Sequence, residues 1–381
     1  MNHVVQLLPD NPRVSPHVLR RSAAPATGRL TNFVLYRTAV VDETAYEQTD
    51  CTVCHFSDER VVRALQQIGD GDRVVVHYLT ADMARLLDEL DPAIYLTWCV
   101  FGAEFYSRPE LCGLPMYLPL TRAMELERAS ALHRHKTRAA ADGTGSWVGK
   151  LLPSARARTA LLKRVMARVD VVATAFEHEY DMIKERVSPR AAWQWYTYYS
   201  IEDSTAQAAV SQDATRILVG NNAHPSNNHL DAVARLLADG HAPEQLLLPL
   251  AYGDADYRTA LLAQLPRGIE VLTESMPLQD YLSLLRTCHT AVFEHRRQQA
   301  FGNVVAMLAQ GSCVTLRNEN AVAVELSKRI YGCALLSPEN DGEYTVLSSF
   351  NDKSNSCIAN QFSAKRVNSY HSNILFGSDV S

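Results

Sequence analysis

Arginine and glutamine side chains concentrate in one short loop in the C-terminal third of the chain. This loop, residues 294–302, follows an apolar run typical of a buried strand and precedes a run typical of a helix. A helix N-terminus carries unpaired N–H groups and a partial positive charge, and a neighbouring arginine adds a planar fork of donors. The loop is therefore predicted to bind a diphosphate. The candidate residues are Arg297, Gln298, Gln299, Gly302 and Asn303.

Polar residues and glycine also follow the other apolar runs of this half. When strands and helices alternate, the parallel strands end at one edge of the sheet, and ligands bind there. Glycine lets the backbone approach a ligand, and asparagine forms hydrogen bonds to a ligand or caps a helix. The capping role fits Asn227 and Asn228. The candidate donor-binding residues at these strand ends are Gly220, Asn222, Tyr252 and Glu274.

Two residues in the N-terminal half are candidates for acid–base catalysis. Glu104 follows a predicted strand, where a carboxylate can take a proton from an acceptor hydroxyl. His77 ends another predicted strand, and an imidazole titrates near neutral pH. The sequence does not choose between these two residues as the catalytic base.

The sequence contains only weak signals for a metal or a haem group. Asp254-Ala255-Asp256 has the D-x-D spacing of a metal site, but it opens a predicted helix, where acidic residues interact favourably with the helix dipole. Residues 51–55 match the C-x-x-C-H pattern of haem attachment, but nothing else in the chain supports haem. The eight cysteines are therefore predicted to be reduced, and no metal or cofactor is expected.

The composition is that of an ordinary globular protein, with 47% apolar and 21% charged residues and a net charge of −5. No apolar run is long enough to span a membrane, and the N-terminus lacks the features of a signal peptide, so a cytoplasmic location is expected. Residues 122–168 differ, because eleven lysines and arginines stand there against three acidic residues. This basic region is predicted to face either solvent or anionic lipid. The charge does not indicate nucleic-acid binding.

Alternating strand and helix patterns run through both halves of the chain. They predict one Rossmann-like domain over residues 1–203 and a second over residues 215–340, with a linker at 204–214. Residues 341–381 form a polar C-terminal tail in this interpretation. The expected fold class is α/β, with two domains of parallel sheets flanked by helices that face each other across a crevice.

Several strings of the sequence resemble one family of enzymes. They are ILVGNN and SNNH within residues 217–229, PLAYGD at 249–254, MPLQDYLSLLRTCHTAVF at 276–293, RQQAFGN at 297–303 and LAQGSCVTLRNEN at 308–320. In the N-terminal half, only VVVH and WCVFGAEFY are similar to family strings. The chain resembles the TDP-N-acetylfucosamine:lipid II N-acetylfucosaminyltransferase family, also described as 4-alpha-L-fucosyltransferases, over about residues 215–330.

This resemblance implies a GT-B-like fold and a glycosyltransferase that moves a 4-acetamido-4,6-dideoxygalactose unit from a TDP-sugar to a lipid-diphosphate-linked saccharide. It implies a role in bacterial envelope polysaccharide synthesis of the enterobacterial common antigen type, at the cytoplasmic face of the inner membrane. The C-terminal domain would hold the nucleotide sugar. The N-terminal domain would hold the acceptor, with the basic region toward the membrane. No metal is expected, because Arg297 and the helix N-terminus would compensate the charge of the leaving diphosphate.

Two residues depart from the family strings. Ala300 stands where the family has glycine after R-Q-Q, and Glu104 stands where it has aspartate. Two other functions stay open from the sequence. They are a non-catalytic nucleotide-sugar-binding scaffold protein and a nucleotide-sugar epimerase on the same architecture.

Overall fold

The structure is a computed structural model, and the chain forms two compact units. The first unit contains residues 1–113, 153–202 and 361–381, and the second contains residues 114–152 and 203–360. The structure describes residues 3–12, 14–22, 28–40, 42–141, 155–198, 200, 202, 209–331, 340–341, 343–347, 360 and 362–376.

Strands and helices alternate along the described residues. The strands are β1 (His3–Pro9), β2 (Arg29–Tyr36), β3 (Thr52–His55), β4 (Arg73–His77), β5 (Tyr95–Cys99), β6 (Val171–Thr174), β7 (Ala192–Trp195), β8 (Arg216–Val219), β9 (Leu246–Pro249), β10 (Glu270–Leu272), β11 (Cys288–Phe293), β12 (Cys313–Arg317), β13 (Asn340–Asp341) and β14 (Tyr344–Leu347). The helices are α1 (Ser15–Arg21), α2 (Glu59–Gln66), α3 (Ala81–Asp88), α4 (Ala103–Tyr106), α5 (Pro109–Cys112), α6 (Pro119–Ala141), α7 (Ala155–Arg168), α8 (Glu177–Arg186), α9 (His229–Ala238), α10 (Ala255–Leu262), α11 (Leu278–Leu285), α12 (Phe301–Ala309), α13 (Ala321–Tyr331) and α14 (Ala364–Phe376).

The first unit is built on a parallel sheet of seven strands in the order β3-β2-β1-β4-β5-β6-β7. The direction of strand addition reverses between β1 and β4. The central strands are runs of valine and leucine whose side chains are buried on both faces. Such runs are typical of a parallel sheet that is covered on both sides.

The second unit repeats this plan in the order β10-β9-β8-β11-β12-β14-β13. Strands β8 to β12 are parallel, and the direction of strand addition reverses between β8 and β11. Strands β13 and β14 are antiparallel to their neighbours and extend the sheet at its edge. The predicted α/β class, with two parallel-sheet units, is confirmed.

Two strands of the first sheet were missing from the sequence prediction. Strand β3 runs through the C-x-x-C-H string, and β7 runs through an aromatic stretch. Both lie at the edges of the sheet, and their side chains are only partly buried. An edge strand lacks the continuous apolar run that makes a central strand recognisable. The six described cysteines are free thiols.

The two units divide the chain differently from the predicted domains. Helix α6 belongs to the second unit, because Met124 packs in that unit's core and Thr121 is bonded to Asp231 of α9. Helix α14, in the predicted tail, belongs to the first unit, because Ile374 and Leu375 are buried beside β1 and β4. Residues 204–208 of the predicted linker lie outside the described residues.

Candidate functional site

In both sheets, polar loops lie where the order of strands reverses. In the second unit β8 and β11 are neighbours, and they end in the β8 loop (residues 220–228) and the β11 loop (residues 294–300). In the first unit β1 and β4 are neighbours, and the carboxyl ends of β1, β4 and β5 share one edge. Open parallel sheets bind ligands at these reversal points. Each unit therefore has one edge at which a ligand is expected.

Two buried asparagines hold the backbone of the β11 loop. Asn228 donates to the carbonyl of Glu294 at 2.8 Å, and Asn320 donates to the carbonyls of His295 and Arg297 at 3.0 and 2.8 Å. Both asparagines are fully buried. The predicted capping role of Asn228 is wrong in detail, because its side chain does not cap α9 and bonds other loops instead. These amides fix the path of the loop.

Glu294 anchors the start of the same loop. One carboxylate oxygen accepts from Arg235 at 3.0 Å, and the other accepts from Arg317 at 3.3 Å and from the Tyr344 hydroxyl at 3.2 Å. The Glu294 side chain is 1% exposed. Because both oxygens bind groups of the protein, this carboxylate holds the fold together.

Arg297 lies close to His224 of the β8 loop. Its Nη1 donates to the Gln298 carbonyl at 3.0 Å. Burial, and then the charge of Arg297, lowers the pKa of His224 to about 4. Nδ1 of His224 accepts from the Ser226 N–H at 3.2 Å, so the proton of the neutral ring is assigned to Nε2. A guanidinium and a neutral imidazole, both able to donate to an anion, therefore lie near each other at this edge.

Asn227 connects the β8 loop to the β11 loop. Its Oδ1 accepts from the Asn221 N–H at 2.9 Å and contacts the ring of His295 at 2.7 Å. Its Nδ2 donates to the Asn222 side chain at 2.8 Å. Asn227 is 1% exposed, so it orders Asn222 from within the fold.

Gly220 is required by the buried side chains beneath it. Its φ is +69°, a conformation that favours glycine. A Cβ at this position would lie 2.6 Å from Nε2 of His229 and 2.8 Å from Oδ1 of Asn227. Internal packing therefore requires glycine here, and the close approach of a ligand stays a prediction.

Asn221 is hydrogen-bonded to two further candidate donor-binding residues, Gln299 and Tyr252. Its side chain accepts from Gln299 at 3.0 Å and donates to the Tyr252 hydroxyl at 3.4 Å. Gln299 also accepts from Ser226 at 2.7 Å. Tyr252 is 42% exposed, so its ring lies at the surface of this cluster. The sequence prediction did not include Asn221, although it adjoins Asn222.

Three other candidate donor-binding residues lie in α12 and in the loop after β10. Gly302 and Asn303 are in the first turn of α12, and Asn303 donates to the Tyr281 hydroxyl at 2.9 Å. Glu274 lies in an exposed loop after β10, and no hydrogen bond or ion pair within the described residues joins it to the others. The donor-binding role of these residues stays a prediction.

Ala300 precedes α12 in a left-handed conformation, with φ +59° and ψ +22°. This conformation costs a residue with a Cβ about 1–2 kcal/mol. It accounts physically for a glycine at this position in the family strings. Ala300 also provides no side-chain cap to the helix.

Glu104 is a buried carboxylate in the first unit, on α4 directly after β5. Its Oε1 accepts from the indole N–H of Trp98 at 3.1 Å and from the Phe101 N–H at 2.9 Å. Its Oε2 is buried without a hydrogen-bond partner among the described residues. Burial raises the pKa of Glu104 to about 7. A carboxylate that titrates near neutral pH is suited to general base catalysis.

Glu104 lines a pocket of about 310 Å³ that lies within the first unit. The pocket walls come from the carboxyl ends of β1, β2 and β4 and from α3 and α7. Tyr78 on this wall has φ +57°, a strained conformation that is rare for a large side chain. Strained residues of this kind cluster at functional sites. The sequence prediction missed these wall residues, although several directly follow strands. They include Tyr36, Arg37, Tyr78, Arg108 and Arg158.

His77 lies in the core of the first unit, where it is 1% exposed. Gln6 donates to its Nε2 at 2.7 Å, and its Nδ1 contacts the Tyr196 hydroxyl at 3.4 Å. Burial holds the pKa of His77 well below its usual range. His77 does not line the pocket. The geometry therefore favours Glu104 over His77 as the candidate base.

Asp254 of the D-x-D string has two partners in the protein. Its Oδ1 accepts from the Tyr257 N–H at the start of α10, and its Oδ2 pairs with Arg128 at 2.9 Å. This arrangement agrees with the interpretation of Asp254 as a helix cap.

The basic region 122–168 is divided between the units, because α6 belongs to the second and α7 to the first. Arg128 pairs with Asp254, and Arg164 pairs with an aspartate of α3. Residues 142–154 lie outside the described part of the chain. Some of these arginines therefore stabilise the fold, and contact with lipid stays a prediction. No helix among the described residues has the length and hydropathy to cross a membrane.

Several solved structures are similar to the whole chain. Anabaena HepE in complex with UDP-glucose has a TM-score of 0.60 at 12% identity, over 98% of this chain and 99% of that chain. Sucrose-phosphate synthase from Thermosynechococcus elongatus has a TM-score of 0.55 at 10% identity, over 97% and 96%. The N-terminal domain of Candida albicans trehalose-6-phosphate phosphatase has a TM-score of 0.55 at 13% identity, over 99% and 97%. The two parallel-sheet units therefore form the GT-B fold of glycosyltransferases.

Residues 160–349 match the family described as 4-alpha-L-fucosyltransferase, glycosyl transferase group 56. Through this match the chain belongs to that family and is a glycosyltransferase, which confirms the resemblance in the sequence. The match runs from α7 to β14 and includes every candidate donor-binding residue. Glu104 and His77 lie outside it.

Proposed function

We propose that this protein transfers a 4-acetamido-4,6-dideoxygalactose unit, an N-acetylfucosamine-type sugar, from a TDP-sugar to a lipid-diphosphate-linked saccharide of the bacterial cell envelope. The family match supports a fucose-like sugar and favours transfer over epimerisation or a scaffold role. The likeness to HepE, whose structure holds UDP-glucose, supports a nucleotide sugar as donor. One observation carries the proposal: Arg297 lies beside the N-terminus of α12, at the edge of the family-matched sheet where the order of strands reverses.

The second unit would bind the donor diphosphate. As the bond between the sugar and the diphosphate breaks, negative charge grows on the leaving oxygen. Arg297 and the N-terminus of α12 would stabilise that charge, with His224 as a neutral donor beside them. Because this positive charge comes from the chain itself, we expect transfer without a metal ion and unchanged activity in EDTA.

The first unit would bind the acceptor in the pocket beside Glu104. The acceptor hydroxyl attacks the anomeric carbon of the donor sugar, and Glu104 takes the proton of that hydroxyl. With its pKa raised to about 7, Glu104 is both partly ionised at neutral pH and basic enough to accept a proton. The nucleoside diphosphate leaves with the electron pair of the broken bond.

Replacement of Arg297 by alanine tests the donor site. We expect kcat/KM for transfer to fall about 100-fold or more, because a charged donor to the leaving group is lost. The assay uses a TDP-sugar and a lipid-diphosphate-linked saccharide. Arg297→Lys keeps the charge without the planar fork and should retain part of the activity. Arg267→Ala, an exposed arginine before β10, is the matched control and should behave as the unaltered protein. Full activity of Arg297→Ala would refute the proposed donor site.

The nucleotide of the donor is tested by thermal shift. A ligand that binds only the native state raises the melting temperature by mass action. TDP, UDP, GDP and CMP compounds are compared with the unaltered protein and with Arg297→Ala. We expect TDP to give the largest shift and the variant to lose it. Equal shifts with all four nucleotides would contradict the TDP assignment without affecting the enzyme class.

The acceptor would be reached at the cytoplasmic face of the inner membrane. Basic residues of region 122–168 that have no ion-pair partner among the described residues, such as exposed Arg122 and Lys163, would make this contact. Each basic residue near an anionic surface contributes about 1 kcal/mol of attraction. Binding to vesicles with and without anionic lipid would measure this contribution.

A further inference from the structure

The orientation of Glu104 depends on a side chain in the middle of the first sheet. Trp98 lies on β5, where Val76 of β4 and Val172 of β6 are its neighbours in the sheet, and it is fully buried. The chain then turns through Gly102, whose φ is +98°, into α4. This turn places Glu104, which is six residues after Trp98 in the sequence, against the indole of Trp98.

The Trp98 indole and the Phe101 backbone bind the same oxygen of Glu104. The Trp98 indole and the Phe101 N–H donate to Oε1 at 3.1 and 2.9 Å. Oε2 has no partner among the described residues, and Glu104 forms part of the pocket wall. An indole N–H can donate a hydrogen bond but cannot accept one. It therefore binds the carboxylate without competing for the proton of the acceptor hydroxyl.

We propose that Trp98 is a positioning residue: its indole N–H holds Oε1 of Glu104 and leaves Oε2 for the acceptor hydroxyl. The inference rests on Glu104 acting as the base of the proposed transfer. Trp98 does not touch the acceptor and acts through the carboxylate alone. A donor to the ionised carboxylate also favours the charged form, so Trp98 extends the pH range in which the base is active toward lower pH.

Other groups near Glu104 act on the same equilibrium. Burial and the charge of Glu179 on α8 raise the pKa of Glu104, whereas hydrogen bonds from the backbone N–H groups of Phe101 and Glu104 and from the Trp98 indole lower it. Burial keeps the pKa values of Cys99 and Tyr198 well above their usual ranges, so both are neutral near pH 7. The charged residues of the pocket wall are Arg37, Asp82, Arg108 and Arg158. None of these groups changes when only the indole N–H is removed.

The test is the pH dependence of kcat/KM for Trp98→Phe. A general base is active when deprotonated, so the rate falls as the pH drops below its pKa. Loss of a donor to the carboxylate destabilises the charged form, and the acidic limb should move up by about one pH unit, from about 7 to about 8. Below pH 7 the variant should therefore be about tenfold slower than the unaltered protein, in addition to any loss that is the same at every pH.

Trp195→Phe is the matched control. Trp195 is another buried tryptophan of this unit, and no acceptor for its indole N–H is found among the described residues. Its replacement removes similar volume and should leave the acidic limb in place. If Trp98→Phe does not fold, β-(3-benzothienyl)alanine at position 98 replaces the N–H by sulfur with nearly the same shape. The same shift is expected.

The outcomes separate the two proposals. An inactive Glu104→Gln with a shifted limb in Trp98→Phe supports both. If Glu104→Gln is inactive but the limb of both position-98 variants stays in place, Trp98 is only structural and the inference is wrong. If Glu104→Gln keeps full activity, Glu104 is not the base and the inference fails with it, while the donor site tested at Arg297 is unaffected.

Discussion

Ala300 adopts a left-handed backbone conformation that is unfavourable for a residue with a Cβ. Its φ of +59° belongs to the region in which a Cβ approaches the following carbonyl oxygen. The surrounding β11 loop is nevertheless fixed by the buried amides of Asn228 and Asn320. The loop therefore imposes the conformation on Ala300, and the strain is stored beside the proposed diphosphate site.

Ala300→Gly should stabilise the protein. Relief of the left-handed strain gives about 1–2 kcal/mol, and the greater freedom of glycine in the unfolded chain takes back about 0.4–1 kcal/mol. We expect a net gain of about 0.5–1 kcal/mol in urea unfolding of the second unit. Ala309→Gly, at the last residue of α12, is the control and should lose about 1 kcal/mol, because helical backbone disfavours glycine. If Ala300→Gly is as destabilising as Ala309→Gly, position 300 is not strained.

At the scale of an element, the β8 loop depends on buried polar packing. Asn227 bonds the backbone of Asn221 and the side chain of Asn222, and His229 lies beneath Gly220. The loop therefore keeps one shape without a ligand. A preformed loop loses little conformational entropy when it binds, which favours affinity.

Gly220→Ala should be much more harmful than an alanine at another glycine of similar φ. Gly311 has φ +93° and no atom within 4 Å of a built Cβ, so Gly311→Ala adds only strain, about 1–2 kcal/mol. At Gly220 the Cβ also meets His229 and Asn227, which adds about 1–3 kcal/mol for overpacking. The comparison by urea unfolding isolates the second effect. Equal losses would show that the β8 loop adjusts freely.

The elements were predictable where hydrophobic pattern alone decides them. Helix α9 and the central strands follow from apolar runs with clear ends, and Glu104 follows from its position after β5. The partners of these residues were not predictable. Glu294 binds Arg235 and Arg317, which are distant in sequence. His77 lies at the end of β4, and Glu104 lies shortly after the end of β5, so the two positions look alike in the sequence. Only the contacts of His77 with Gln6 and Tyr196 show that His77 is enclosed in the core.

At the scale of the whole molecule, buried histidines make both units sensitive to acid. Burial lowers the pKa to about 4 for His224 and His371 and to about 3 for His229. The same cause holds the pKa values of His77 and His295 well below their usual range. Unfolded histidine binds a proton near pH 6.5, so stability is complete above that pH and is lost as the pH falls toward the folded values. The pKa of Glu104 is raised by burial, so Glu104 contributes stability at low pH that is lost as the pH rises.

Melting temperature should therefore fall between pH 7 and pH 5. Each buried histidine contributes up to about 1.4 kcal/mol per pH unit in this range. Because its pKa is raised to about 7, Glu104 offsets part of the loss in the first unit as the pH falls. His371→Gln keeps a donor toward the Thr197 carbonyl and should flatten the pH dependence of the first unit only. Calorimetry over this range measures both effects, and a melting temperature independent of pH would contradict them.

The return of α14 to the first unit has a consequence for biosynthesis. Ile374 and Leu375 complete a cluster that contains Val4 and Val75. At about 5–20 residues per second, a ribosome needs about 20–70 s to add the 370 positions between Val4 and Ile374. The second unit, whose last strand ends at Leu347, is complete earlier. The half of the protein that is translated first is therefore the half that finishes folding last, with one apolar face uncovered until then.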